Sequence, residues 1–445
     1  MSNTTSRRTF IKQVGATGLG MTLGGMAFSA RSYANIMGAN ERINVVVMGT
    51  NGRGAGMARN FQRMADVDVT WICDVEEAAL AKGVEAVKNA GGNPKTEKDI
   101  RKVLAQKDVD ALFCAAPDHW HTPATIMGCQ AGKHVYVEKP LSHNPREGEL
   151  AIAAARKYNR IVQVGAQRRS CTNIIEGINE LRNGIIGRVY FAKSWYTNRR
   201  ESIGFGKRIA PPPTLDYDLW QGPAPRRAFQ DNLIHYNWHW FWHWGTGEAL
   251  NNGTHEMDVI RWGLGVDFPT QVSSEGSRFV FKDDWECPDT QTINLQFGNE
   301  CLVTWEGRSC NSVNSEGRDR GVVFYGENGS METGHDGYKV LDQRNRIVKE
   351  IDSKQVVDGR DTSSPNLGMD AMHINDFLDA IKNNRQPNAD VAELHKSTTL
   401  VQLGNIAWRT GQRLTINPSN GHILNNPEAQ ALWGRTYEPG WEPTV

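Results

Sequence analysis

Ile43-Asn44-Val45-Val46-Val47-Met48-Gly49-Thr50-Asn51-Gly52-Arg53-Gly54 is a short apolar run that stops at a glycine. A run rich in β-branched residues and bounded by glycine predicts a buried parallel strand. The residues that follow, Ala55-Gly56-Met57-Ala58-Arg59-Asn60-Phe61, suit a helix. A strand that turns through glycines into a helix aims free backbone N–H groups at one point, where a pyrophosphate fits. A second apolar run, Val67-Asp68-Val69-Thr70-Trp71-Ile72-Cys73, ends at Asp74, twenty residues after Gly54. A carboxylate there accepts hydrogen bonds from ribose hydroxyls and repels a 2′-phosphate. The order strand, turn, helix, strand, acid predicts a dinucleotide site that takes NAD, with NADP the poorer fit. The plainer alternative is an acid that caps the helix beginning at residue 76.

Further along, helical spacing covers 76–90 and 97–107, and an apolar strand covers 110–116. That strand ends in Pro117-Asp118-His119-Trp120-His121. A helix from 123 to 131 leads to a strand at 134–137, which ends in Glu138-Lys139-Pro140. A helix at 145–158 and a strand at 161–165 complete the alternation. Regular alternation predicts a doubly wound parallel sheet in an α/β domain over residues 35–165, with ligands outside the carboxyl ends of its strands. From residue 166 to 445 the pattern changes. Strand-like segments at 189–197, 291–297, 301–307 and 320–326 predict a second α/β domain with an open, mainly antiparallel sheet. Helices over 369–383 and 391–411 are expected at the domain junction. The loop from Arg199 to Asn232, with three prolines at 211–213, is long enough to suggest a function.

The bulk composition narrows the partners. The chain has 445 residues, with 50 Lys plus Arg against 50 Asp plus Glu. No basic excess points to nucleic acid or an anionic membrane. The seven cysteines form no CxxC pair, so neither a disulfide framework nor a zinc site is suggested. The N-terminus reads Ser6-Arg7-Arg8-Thr9-Phe10-Ile11-Lys12, followed by a mild apolar segment from Val14 to Ala30. That segment is too weak to span a membrane, and twin arginines before it look like a twin-arginine export signal over residues 1–34. Small residues in Ser32-Tyr33-Ala34 suit cleavage before Asn35. The expected location is periplasmic or otherwise exported, with no membrane insertion of the mature chain.

Three constellations can carry chemistry. Lys139 sits at a strand end in the expected cofactor crevice, where an ammonium can stabilise a carbinol oxygen as it becomes a carbonyl. Its plain alternative is a surface lysine paired with Glu138. In the segment from Gly245 to Trp262, a helix places Asn251, His255, Asp258 and Trp262 on one face. There His255 is either a general base for a hydroxyl proton or a buried histidine bonded to Asp258. In Trp238-His239-Trp240-Phe241-Trp242-His243-Trp244, read as extended chain, tryptophans alternate with His239, Phe241 and His243. Aromatic faces of this kind either stack on sugar rings or pack a core. His235, His239 and His243 lack carboxylate or thiolate partners at convincing spacing, so no metal site is expected.

Taken together, these motifs resemble the Gfo/Idh/MocA oxidoreductase family. The matching segments are GTNGRG at 49–54, PDHWH at 117–121, AGKHVYVEKPL at 131–141, GAQRR at 165–169, DLWQGPAP at 218–225 and GTGEALNNGTHEMD at 245–258. The segment from His373 to Leu414 resembles the family's closing helices. The resemblance implies a Rossmann domain, an α/β substrate domain that often oligomerises through its open sheet, and NAD(P). It places the cofactor on Gly49, Asn51, Gly52, Arg53 and Gly54, on Asp74, Pro117 and His121, and on Glu138, Lys139 and Gln167. It implies catalysis by Lys139 and His255, with Asn251 where the family commonly has an aspartate; Glu248 or Asp258 could supply the missing carboxylate. Substrate contacts are expected from Arg168, Trp238, His239 and Asp258. The expected activity is hydride transfer between a secondary alcohol of a sugar or glycoside and a tightly held nicotinamide cofactor, in a homo-oligomer. The alternatives are an NAD-dependent glycosidase, like the family's α-N-acetylgalactosaminidases, and a non-enzymatic sugar-binding protein.

Overall fold

A computed structural model describes residues 42–351 and 367–445. The expected export signal at 1–34 lies outside the described residues. Strand β1 (Ile43–Met48) is the centre of a six-stranded parallel sheet with β2 (Val67–Cys73), β3 (Lys95–Glu97), β4 (Ala111–Cys114), β5 (His134–Val137) and β6 (Val162–Val164). The order is β3-β2-β1-β4-β5-β6. The chain reverses direction across the sheet between β1 and β4, which opens a crevice at their carboxyl ends. Both faces of β1 are covered, so its apolar run is continuous. Val45 and Val47 pack with Met57, Phe61, Ile374 and Phe377, while Val46 and Met48 pack with Leu112, Ala124, Ala151 and Leu394.

The connecting helices are α1 (Arg53–Gln62), α2 (Glu77–Lys88), α3 (Ile100–Leu104), α4 (Asp118–Gln130) and α5 (Pro145–Lys157). Two depart from expectation. Helix α3 is shorter than 97–107, because Asp99 caps it by accepting the Arg101 N–H at 3.0 Å and β3 occupies 95–97. Helix α4 begins at Asp118, five residues earlier than its proline suggested. Pro123 lacks the N–H that would bond the His119 carbonyl, and Arg435 Nη2 donates to that oxygen instead, at 2.7 Å.

The second sheet has ten strands: β7 (Val189–Thr197), β8 (Gln271–Ser277), β9 (Thr290–Phe297), β10 (Cys301–Arg308), β11 (Arg320–Gly326), β12 (Gly329–Thr333), β13 (Tyr338–Asp342), β14 (Ile347–Ile351), β15 (Leu414–Ile416) and β16 (Ile423–Leu424). Their order is β14-β13-β12-β11-β7-β10-β9-β8-β15-β16. Within this sheet, and among the described residues, only β7 and β10 pair in parallel. One face buries Ile293, Leu295, Val303 and Trp305 against α6 (Thr172–Arg182), α8 (Thr254–Leu264) and α10 (Val391–Thr410). The other face carries the exposed side chains Tyr190 and Leu302. Helix α9 (Leu367–Asn383) packs on α1 and, through Ile374 and Phe377, on the parallel sheet, and α10 bridges to α5 and β8, as junction helices should. The 199–232 loop contains one short helix, α7 (Tyr217–Gln221), and is pinned over the first sheet. Asp216 N–H donates to Val75 O at 2.9 Å and Glu77 N–H to Thr214 O at 3.2 Å.

Candidate active site

The β1–α1 turn is built by close backbone approach. Gly49 has φ +82°, and a Cβ on it would lie 2.7 Å from the Ala115 carbonyl. A Cβ on Gly54 would lie 1.7 Å from Gly49 O, whereas Gly52 faces open space with nothing within 4 Å. Helix α1 starts at Gly52 with no side-chain cap, so its first N–H groups open onto that space. A pyrophosphate fits such a cradle. At the end of β2, Asp74 Oδ2 accepts the Thr50 N–H at 2.6 Å and Oδ1 accepts the Glu76 N–H at 3.1 Å. Burial raises its pKa against the effect of those two hydrogen bonds. Helix α2 is capped by the Glu76 side chain, which accepts from Ala79 N–H at 2.6 Å, so Asp74 is not the cap.

Above the turn lies a cavity of about 380 Å³. Every expected cofactor residue lines it: the glycine turn with Asn51 and Arg53, Asp74, Pro117, His121, Glu138, Lys139 and Gln167. Arg53 reaches across the crevice, with Nε 2.8 Å from Glu138 Oε1 and Nη1 and Nη2 on the two oxygens of Asp370 at 2.8 and 2.7 Å. Glu138 is therefore the partner of Arg53, not of Lys139. His121 is held between Pro140 O at 2.6 Å and Ala116 O at 2.8 Å, which ties two loops of the crevice together.

Lys139 crosses between the lobes. Its Nζ donates to Asn251 O at 2.6 Å and to Asn251 Oδ1 at 2.9 Å. Burial lowers its pKa, while Glu138 and Asp118 pull the other way. Asn251 sits on a π-helical turn, Ala249–Gly253, that runs into α8. Its Nδ2 donates to Glu248 Oε1 at 3.2 Å. Glu248 is also hydrogen-bonded by Arg200 and Asn252. Asn251 thus meets a carboxylate, Glu248, one side chain further back. His255 lines the same cavity. Burial, then Arg320, Lys139, Arg168 and Arg53, hold its pKa well below 6.5.

Asp258 does not join this group. It is buried, accepts from Arg169 Nε and Nη2 at 2.9 and 2.7 Å and from Ser397 Oγ at 2.6 Å, and is absent from the cavity wall. It is a packing ion pair and neither a substrate contact nor the partner of His255. The aromatic run is not extended either. Residues Asn237–Trp240 form a 3₁₀ turn, which puts Trp238 and His239 on the cavity, stacked at 3.6 Å between ring centroids. Trp240 instead stacks on Trp285 at 3.9 Å, and Trp244 meets Trp220 at 5.5 Å. His243 is bound to Pro225 O at 2.7 Å, apart from His239, which bonds Tyr236 O.

Arg168 also lines the cavity, as expected. Arg320, His335, Tyr236, Trp220 and Asp370 line it without having been singled out by sequence. Arg320 opens a strand and Asp370 lies in the first turn of a helix. Periodicity assigns such positions to elements and says nothing about which distant side chain they meet.

The model for an oxidoreductase family with an NAD-binding Rossmann fold matches residues 43–166, and the model for that family's C-terminal α/β domain matches residues 214–416. A glycosyl hydrolase family 109 protein from Saccharopolyspora erythraea is 28% identical over 228 residues, which is 46% of this chain and 49% of that protein. The chain thus spans about half the length of the first curated relatives it matches. The uncharacterized oxidoreductase YrbE of Bacillus subtilis is 24% identical over 292 residues, 65% of this chain and 73% of that protein. Among solved structures, levoglucosan dehydrogenase in complex with NADH and levoglucosan superposes with a TM-score of 0.64 at 18% identity, covering 84% of this chain and 99% of that one. The WlbA dehydrogenase of Bordetella pertussis, in complex with NADH and UDP-GlcNAcA, gives 0.63 at 18% identity over 85% and 99%. With the family's two domain models matching residues 43–166 and 214–416, well over half of its length, the chain belongs to the Gfo/Idh/MocA oxidoreductase family.

Proposed function

We propose that the protein is an NAD-dependent oxidoreductase acting on a secondary alcohol of a sugar or glycoside. The observation that carries this is one cavity lined both by the uncapped turn at Gly52 and by Lys139, Asn251 and His255. The glycine turn, Asn51 and Arg53 hold the nucleotide's phosphates, and Asp74 holds its ribose. Pro117, His121, Glu138 and Gln167 shape the crevice beyond. NAD bound there supplies a hydride acceptor. Lys139 donates a hydrogen bond to the reacting oxygen and stabilises it as charge develops. His255, kept neutral because burial and neighbouring cations disfavour its charged form, offers an unprotonated ring nitrogen to the reacting hydroxyl. Asn251 fixes the Lys139 ammonium through its two oxygens. Trp238 and His239 offer a stacked aromatic surface to the sugar ring.

Export by the twin-arginine route, which carries folded proteins, suits a protein that traps its cofactor before export. The exposed sheet face with Tyr190 and Leu302 suits assembly with further copies of this chain. Mass spectrometry of nucleotide released from the purified protein tests the reading. The expected result is bound NAD or NADH; protein that is cofactor-free and shows no measurable NAD affinity removes it.

The relatives named glycosyl hydrolase family 109 favour a second outcome at the same site. A ketone formed transiently on the sugar acidifies the neighbouring C–H, and the glycosidic bond then breaks by elimination. Aryl glycosides without added NAD separate the two. Aryl release supports cleavage, and keto product without release supports net oxidation.

A further inference from the structure

The cavity wall contributed by the second lobe carries more positive charge than its own carboxylates balance. Arg168 and Arg320 line it and are 5% and 7% exposed. They share Glu256, which is fully buried. Arg320 Nε donates to Glu256 Oε1 at 2.9 Å and Nη2 to Oε2 at 3.2 Å. Arg168 Nη1 is 3.3 Å from Oε1, but no N–H of Arg168 is aligned on it, and Nη1 has no hydrogen-bond partner among the described residues. Glu248 is engaged by Arg200 and is not free to help. Nη1 is itself shut off from the cavity, but Nε and Nη2 also make no hydrogen bond to the described residues, and an occupant of the cavity that accepts from them offsets the cost of a buried guanidinium with unmet N–H groups.

The occupant is not the cofactor's pyrophosphate, because the cradle for that lies at Gly52. His335, on the same wall, is pushed down to about 3 by burial and by Arg168, Arg320 and Arg318, so it stays neutral and can donate one N–H. Two arginines on the single carboxylate of Glu256 leave one positive charge to be met, and the guanidinium fork matches a planar carboxylate. A phosphate monoester brings a second charge with no partner here. We infer that the sugar taken by this site carries a carboxylate, as a hexuronic acid residue does, seated on Arg168 beside Arg320. This rests on the reading of the cavity as a sugar site.

The test is calorimetric binding to the full chain with its cofactor, read without turnover. The probes are methyl glycosides of the gluco, galacto and manno series, each as the neutral sugar, the 6-carboxylate and the 6-sulfate. In at least one series the carboxylate should bind about tenfold tighter than the neutral sugar, as a charge-assisted hydrogen bond predicts. Arg168→Gln should bring that ratio to within about threefold, and Arg168→Lys, which keeps the charge without the fork, should fall between. Equal binding of carboxylate and neutral sugar in every series overturns the inference, and so does tighter binding of the sulfate. A carboxylate preference in a protein that oxidises none of these sugars keeps the anion site and removes the oxidoreductase reading.

Discussion

Asn251 is neutral, yet it positions Lys139 as tightly as a carboxylate could, because its backbone and side-chain oxygens both accept from Nζ. What it cannot do is carry charge, and the Glu248 carboxylate behind it is already paired with Arg200. Lys139→Ala should lower kcat by about 10²- to 10⁴-fold in a steady-state assay, since the donor to the reacting oxygen is lost. Asp258, by contrast, works for the fold. Arg169→Ala strips a buried carboxylate of its paired guanidinium, leaving only Ser397 and the more distant Arg261, and should cost about 3 kcal/mol in urea unfolding. A loss under about 1 kcal/mol would mean that the pair is not buried in solution. Lys139 and His255 stood out only through the family resemblance, since spacing alone left each with a plain structural alternative, and both line the cavity. The fate of Asp258 was not, since a helix face lists neighbours along the chain and Arg169 comes from another element.

At the level of elements, the β1–α1 turn shows two glycines with opposite duties. Gly54 permits backbone contact, and a methyl there collides with Gly49 O. Gly52 has no steric neighbour and keeps the mouth of the cradle clear. Gly54→Ala should therefore destabilise the fold by on the order of 2–4 kcal/mol through forced backbone shifts. Gly52→Ala should leave the unfolding midpoint near the parent's while reducing the NAD recovered with the protein. Equal effects of the two on stability would contradict this division. The strand–helix alternation was readable because fully buried strands need unbroken apolar runs. The ends of α3 and α4 were not, because Asp99 capping and the Arg435 contact at His119 depend on side chains that sequence spacing does not locate.

Across the whole molecule, burial keeps many histidines neutral. His119, His143, His239 and His255 lie well below their ordinary value of 6.5, and His134, His243 and His395 are pushed down to about 4. Between the folded and unfolded pKa values the unfolded chain binds more protons at each of these sites, so their contribution to stability is lost as pH falls below 6.5. Asp74 and Asp118, raised by burial, act in the opposite sense above the ordinary carboxylate value but are fewer. The thermal midpoint should drop by on the order of 10 °C between pH 7 and pH 4. A flat profile over that range would show that these rings are hydrated rather than buried.

Local pattern alone determined the parallel sheet, its glycine turn, the acid after β2 and the two motifs that hold Lys139 and His255, because each depends on spacing within a few residues. Only the tertiary structure decided which charges pair. Arg53 with Glu138 and Asp370, Arg169 with Asp258, and Arg200 with Glu248 join segments far apart in the chain. Ion pairing selects partners by distance in space and by shared burial, and neither quantity is written in the order of residues.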